Sequence, residues 1–165
     1  MPTTTSSINV QSTGKRNADG YTITVGEIIG EFEKAKTRQA KKVVLEKYKT
    51  NEVLRHLLRG TFDPKVQWAI TEQPDYVKDV ETPEGAEPNT LYMEIPNCSI
   101  FVKGHPASVK LKPQRMKELL IQILESLGAS EAELYMQMLK KKSKVKGLTS
   151  KLVLEVFPNL YKEGA

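Results

Sequence analysis

The sequence predicts a mainly α-helical protein, a single-domain helical bundle of about six to seven short helices with a small β-hairpin insertion. Apolar residues recur three and four positions apart in several separate segments, which is the period of an amphipathic helix. Helix start and stop residues bracket those segments, whereas one short region has the composition of paired strands. The length of 165 residues suits one domain with its own core.

The chain divides into a tail, a domain and an insertion within that domain. Residues 1–21 are rich in Ser, Thr, Asn and Gly and poor in large apolar side chains, so we expect a disordered N-terminal tail. Residues 22–162 are predicted to form the single domain. Residues 71–112, an acidic loop followed by the hairpin, interrupt its helical pattern.

Three helices are predicted before the insertion, followed by a short element that Asp63 opens as N-cap with Pro64 at the first helical position. Thr24 and Glu27 have the spacing of a capping box, which opens the first helix. A second helix is predicted over residues 37–48, with lysines and an arginine on its outer face. Asn51 is the expected N-cap of a third helix, and Gly60 is its expected end.

The insertion is predicted to begin as an acidic loop over residues 71–88. Two β-prone runs, residues 91–95 and 99–102, flank the turn dipeptide Pro96-Asn97 and predict a hairpin. A helix over residues 91–95 is the alternative. Just before the insertion, Trp68 is expected to anchor the core, because large aromatics in small domains usually pack there.

The C-terminal part predicts three more helices. Pro113 opens the longest one and Gly128 ends it. Ser130 and Glu133 have capping-box spacing for the next helix. The last helix is predicted over about residues 150–157.

The charge balance favours an acidic partner. Lys and Arg number 25 against 20 Asp and Glu, which gives a net charge of +5 and a pI near 9.2. No apolar run has the length that spans a bilayer, and residues 1–20 lack the apolar segment of a signal peptide. We therefore expect a cytoplasmic protein without a membrane partner.

The motifs of common enzymes and metal sites are not found in the sequence. His56 and His105 have no second histidine or cysteine at ligand spacing, and the single Cys98 excludes an internal disulfide. We therefore predict no catalytic residue, no metal and no cofactor. Cys98 is expected to act as a small buried apolar residue.

Residues 140–151 are the most basic stretch, and six of these twelve residues are lysines. Lys140, Lys141 and Lys142 complement the dipole of the helix that they end. Thr149 is placed to cap the following helix, so that backbone N–H groups and lysines converge on one point. This convergence favours an anion site, and a solvated surface loop is the alternative.

Two stretches carry a resemblance to a known family. Residues 44–55, Val-Leu-Glu-Lys-Tyr-Lys-Thr-Asn-Glu-Val-Leu-Arg, continue to Val-Gln-Trp at 66–68. Residues 131–160 contain a charged helix, a Gly-containing turn and a short helix ending in Phe-Pro-Asn-Leu. Both resemble the N-terminal DNA-binding domain of ATP-dependent DNA ligases, especially those of T-even phages. The chain also resembles uncharacterised small proteins of T-even-like and cyanobacterial phages, which implies a phage origin.

The resemblance implies a domain that grips duplex DNA through its phosphates. The sequence contains no Lys-x-Asp-Gly adenylation motif, so non-catalytic and sequence-tolerant binding is expected. The implied phosphate contacts form one turn and a second cluster at the start of the second helix. The turn comprises Lys144, Lys146, Gly147, Thr149, Ser150 and Lys151, and the cluster comprises Arg38, Lys41 and Lys42.

Two other functions are compatible with the same sequence. One is a protein-protein adaptor that acts on phage or host replication or transcription machinery, with the acidic loop and hairpin as its contact surface. The other is a structural component of a virion. A salt-sensitive interaction with duplex DNA distinguishes the first hypothesis from both.

Overall fold

The computed structural model describes residues 23–78 and 89–161. The predicted tail at residues 1–21 and part of the acidic loop lie outside the described residues. Within them the chain forms eight α-helices and one 3-10 helix, with isolated β-bridges in place of strands. The helices are α1 (Val25–Lys34), α2 (Arg38–Lys47), α3 (Glu52–Phe62), α4 (Leu91–Glu94), the 3-10 helix η1 (Ile95–Phe101), α5 (Pro106–Val109), α6 (Pro113–Ser126), α7 (Ala129–Lys140) and α8 (Ser150–Val156).

Local capping sets the start of several helices, as predicted. Thr24 Oγ1 accepts a hydrogen bond from the Glu27 N–H at 3.0 Å, and Glu27 Oε1 accepts one from the Thr24 N–H at 3.0 Å. Asn51 Oδ1 accepts from the Leu54 N–H at 3.0 Å. The mainly helical class is therefore confirmed, and the first and third helices begin at the predicted caps.

The third and seventh helices form the central pair of the core. A Cβ atom at Gly60 would lie 2.8 Å from Met138 Cγ and 2.9 Å from Trp68 Cζ2, so only glycine permits this approach. Trp68 is buried and its indole N–H donates to the Gly60 carbonyl at 3.0 Å. The core position of Trp68 is confirmed. The prediction that Gly60 ends α3 is wrong, because the helix continues to Phe62. The short element predicted to open at Asp63 is wrong as well, because Asp63 is the C-cap of α3 and residues 64–70 form a turn and an isolated bridge.

The predicted β-hairpin is not formed. Residues 91–95 instead begin α4 and then η1, because Leu91, Tyr92 and Ile95 have helical spacing and all three are buried. Only Val102 keeps a strand-like contact, an isolated antiparallel bridge to Trp68. Helix, the alternative interpretation of residues 91–95, is the correct one.

Glu131 joins three helix termini. Its side chain is 1% exposed, and its carboxylate accepts hydrogen bonds from the Gly26 N–H at 3.1 Å and from the Leu91 N–H at 3.0 Å. These two N–H groups lie in the first turns of α1 and α4. The prediction that Ser130 is the N-cap is wrong, since α7 begins at Ala129 and its cap position is Gly128, two residues before Ser130. The carboxylate thus complements two other helix N-termini.

Candidate nucleic-acid interface

The basic stretch begins with a lysine that is folded against the protein. Lys141 ends α7 in the left-handed region at φ 55°. Its ammonium group donates to the carbonyl oxygens of Asp63 at 2.6 Å and Gly60 at 3.2 Å. Burial lowers the pKa of Lys141. These contacts complement the C-terminal end of α3, so Lys141 stabilises the fold.

One side-chain hydrogen bond and two buried residues hold the turn between α7 and α8 in place. Gln137 Oε1 accepts from the Lys144 backbone N–H at 3.0 Å. Val145 and Leu148 are buried, and the Leu148 N–H donates to the Val145 carbonyl at 3.1 Å. These anchors fix the turn on the core and direct the intervening Lys144 and Lys146 to the surface, where both are exposed.

Gly147 is the point at which the turn meets α2. Its φ of 84° is in the left-handed region, where residues with a Cβ atom are strained. A Cβ atom at Gly147 would also lie 2.9 Å from Lys41 Cδ. The two predicted basic segments are therefore in direct contact, although they lie far apart in the sequence.

The Lys41 side chain that lies against Gly147 also interacts with Phe32. Its Nζ donates to the Phe32 carbonyl at 3.0 Å and lies 4.8 Å from the centroid of the Phe32 ring. The carbonyl belongs to the last turn of α1, and the ring contributes a cation–π attraction. Lys41 is thus a structural element of the predicted DNA site.

Glu155 connects the start of α2 to α8. Both Glu155 oxygens accept hydrogen bonds from Arg38, and Lys42 Nζ lies 3.8 Å from Glu155 Oε1. The hydrogen bond from Arg38 lowers the pKa of Glu155, and the reciprocal bond raises the pKa of Arg38. Arg38 is exposed, and the side chains of Lys42 and Glu155 are partly exposed, so the ion pairs contribute little to folding and mainly define the position of the two cations.

The polar residues at the start of α8 are used within the protein. Thr149 Oγ1 accepts from the Leu152 N–H at 3.2 Å, which confirms Thr149 as an N-cap. The Ser150 hydroxyl is hydrogen-bonded to the Tyr161 hydroxyl. Both residues shape the end of the turn, and α8 itself has only seven residues.

Comparison with known sequences places the chain in a family. Residues 28–145 match a family of unknown function, DUF6433. The chain belongs to this family. The match includes α2 and ends within the turn that carries the exposed lysines. Among curated proteins, none matches the sequence.

In this DUF6433 protein the two predicted segments meet at the contact between Lys41 and Gly147 and at the ion pairs of Glu155, but the predicted site residues differ in what they contact. Lys144, Lys146 and Lys151 are exposed and form no ion pair with any residue that the structure describes. Arg38 and Lys42 are paired with Glu155. We call the five cations Arg38, Lys42, Lys144, Lys146 and Lys151 the basic surface. Lys41, Gly147, Thr149 and Ser150 are structural members of the site, because each has a partner or a conformation that supports the turn.

Sequence reasoning missed two residues that organise this surface, Glu155 and Gln137, and the contact that Lys141 makes with α3. Glu155 pairs with two of its cations, Gln137 holds the turn, and Lys141 contacts α3. A charge pattern gives no signal for any of them, since each contact depends on tertiary structure. Glu155 is the partial exception, because it is an acidic residue close in sequence to the basic stretch.

The residues considered for other chemistry have ordinary surroundings. His105 Nδ1 accepts from the Ala107 N–H at 3.1 Å as the N-cap of α5. Burial raises the pKa of Cys98 to about 11, so its thiol is protonated at neutral pH. Across residues 23–78 and 89–161, no group of His, Cys, Asp and Glu side chains has the arrangement of a metal site. None of the helices in these ranges combines the length and apolarity that a bilayer-spanning helix requires.

Proposed function

We propose that this chain is a non-catalytic domain that binds duplex DNA through its phosphates and tolerates any base sequence. The contact between Lys41 and Gly147 supports the proposal, because it joins the basic turn to α2 and so creates one surface from two separate segments. The resemblance to the DNA-binding domain of ATP-dependent ligases points in the same direction. A phage origin and a cytoplasmic location belong to this proposal as well.

Lys144, Lys146 and Lys151 are the expected primary contacts. Their ammonium groups form no salt bridge with any acidic residue in the described ranges, although the charge of Lys151 contributes to the lowered pKa of Glu155. Binding a phosphate at these lysines therefore does not require a direct ion pair to break. Lysine acts on a phosphate as a flexible point charge and carries no information about the base. Binding through these residues is therefore expected to depend on salt and not on sequence.

Arg38 and Lys42 are the expected secondary contacts. Arg38 already donates from two nitrogens to the two oxygens of Glu155, and the same planar group suits two phosphate oxygens. Because the ion pairs are exposed and weak, a phosphate that approaches α2 can replace the carboxylate. Glu155 would then hold both cations in position before DNA arrives.

The test is a titration of labelled duplex DNA, followed by anisotropy over a range of salt concentrations. We expect the logarithm of the binding constant to fall with the logarithm of salt by about 0.9 for each phosphate neutralised. The double variant Lys144→Glu/Lys146→Glu should bind at least about tenfold more weakly and show a slope smaller by about 2.

The matched control is Lys110→Glu/Lys117→Glu, which changes the net charge equally at two exposed lysines of the α5–α6 region. It should retain most of the wild-type affinity. Salt-independent binding or none by the wild type refutes the proposed function. Equal loss in both double variants would show that only net charge matters and would refute the basic surface as the site.

A further inference from the structure

The protein surface contains a pocket that shares no residue with the basic surface. It has a volume of about 280 Å³ and lies between α3, the segment around Trp68 and η1. We infer that this pocket binds one large apolar side chain from an acidic peptide segment of a partner protein.

The interior of the pocket is predominantly apolar. Val66, Trp68, Ile95 and Val102 contribute to its walls. The pocket volume is of the size of a single leucine or phenylalanine side chain with some surrounding space. Burying such a side chain removes its apolar surface from water, which favours binding.

The charges near the pocket define the chemistry of the segment that carries this side chain. His56 and Arg59 line the pocket and are exposed. Arg59 Nε donates to Asp63 Oδ2 at 3.2 Å, which orients its guanidinium group while 53% of the side chain stays exposed. Lys65 and Lys103 are exposed chain neighbours of the lining residues. An apolar side chain flanked by Asp or Glu complements this arrangement.

A nucleic-acid base fits the same pocket less well. The polar edge of a base would lose its hydrogen bonds to water against apolar walls, and an unsatisfied buried polar group is costly. The Trp68 ring is only 6% exposed and is held through its indole N–H by Gly60, so its face is not open for stacking. An aliphatic or aromatic side chain has no such cost, and this difference favours a peptide.

Trp68 also provides the assay, because it is the single tryptophan of the chain and lies in the pocket wall. The probe is a short synthetic peptide with one phenylalanine between aspartates. Titration into the full-length protein should change the Trp68 emission in a saturable manner. Replacing the phenylalanine by alanine, or the aspartates by lysines, should weaken binding at least about tenfold.

Two protein variants test the location. Ser99→Phe places a ring in the pocket that Ser99 lines, and it should weaken peptide binding at least about tenfold while circular dichroism confirms the fold. His56→Glu changes only the exposed rim and should weaken binding of the acidic peptide without affecting the thermal midpoint of unfolding. Lys117→Gln is the matched control, because it lowers the net charge by one as His56→Glu does, and it should bind like the wild type.

The opposite results overturn the inference. No saturable change with the wild type, or equal binding by Ser99→Phe, excludes the pocket as a peptide site. A single-stranded oligothymidylate that displaces the peptide and depends on Ser99 in the same way would show a nucleic-acid site instead. Displacement by duplex DNA would contradict a site separate from the basic surface. Peptide binding can fail while duplex binding persists, so the two proposals are tested independently.

Discussion

Replacing Glu131 should strongly destabilise the protein, because its buried carboxylate connects α7 to the first turns of α1 and α4. Its carboxylate is 1% exposed and accepts backbone hydrogen bonds from α1 and α4 at 3.1 and 3.0 Å. Hydrogen bonds to a charged group contribute about 1.5–3 kcal/mol each. We therefore expect Glu131→Ala to lower the free energy of unfolding by about 3–5 kcal/mol. Glu131→Gln, which keeps one acceptor oxygen, should cost about 2 kcal/mol.

The assay is urea unfolding followed by Trp68 fluorescence and by circular dichroism. Glu133→Gln is the matched control, because Glu133 lies on the same helix and is exposed, so its change should stay within about 0.5 kcal/mol. Hydrogen exchange adds a local test, since the amides of Gly26 and Leu91 should lose protection first in Glu131→Gln. If Glu131→Gln unfolds like Glu133→Gln, the proposed role of the carboxylate is refuted.

Two further predictions concern the turn and the partly buried thiol of Cys98. Gly147→Ala should lower the free energy of unfolding by about 1–2 kcal/mol, because φ of 84° is strained for alanine and the new Cβ atom meets Lys41. Gly30→Ala is its control in the same urea assay, because Gly30 lies within α1 and nothing is within 4 Å of an added Cβ atom. We expect this control to raise the free energy of unfolding by about 0.5–1 kcal/mol. A loss equal to that at Gly147 would refute the argument. Burial raises the pKa of Cys98 from 9.0 to about 11. Between these two pH values the folded chain keeps a proton that the unfolded chain loses. The free energy of unfolding should therefore fall as the pH rises through this range. Cys98→Ala should show a smaller fall in alkaline thermal melts, and an unchanged pH dependence would contradict the assigned cause.

The sequence predicted helix positions well wherever the determining contacts are short-range. The caps at Thr24, Asn51 and Thr149 each bond a backbone N–H three residues away, so the pattern of nearby residues contains the whole interaction. The hairpin failed for the opposite reason. Its residues suit both helix and strand, and the carboxylate that accepts the Leu91 N–H comes from Glu131, 40 residues away.

The candidate site shows the same contrast between features that the sequence contains and contacts that depend on tertiary structure. The five cations of the basic surface were all predicted from the sequence, because charge can be counted without a structure, and their role in binding stays a prediction. It could not tell which lysines have internal partners, since the acceptors for Lys41 and Lys141 are backbone carbonyls of Phe32, Gly60 and Asp63. Backbone carbonyls occur at every residue, so no composition or spacing marks the ones that a lysine will reach.

The difference between lysines with internal partners and exposed lysines changes how the basic stretch at residues 140–151 should be interpreted. A lysine whose ammonium group binds a helix carbonyl contributes to folding, and its positive charge is already used there. A lysine held at the surface by buried neighbours, as Lys144 and Lys146 are by Val145, has its charge available for a partner. We therefore expect Lys141 to support the fold beneath the proposed DNA interface without taking part in that interface. Charge density along the sequence counts such lysines as well, so the proposed interface is smaller than the lysine run.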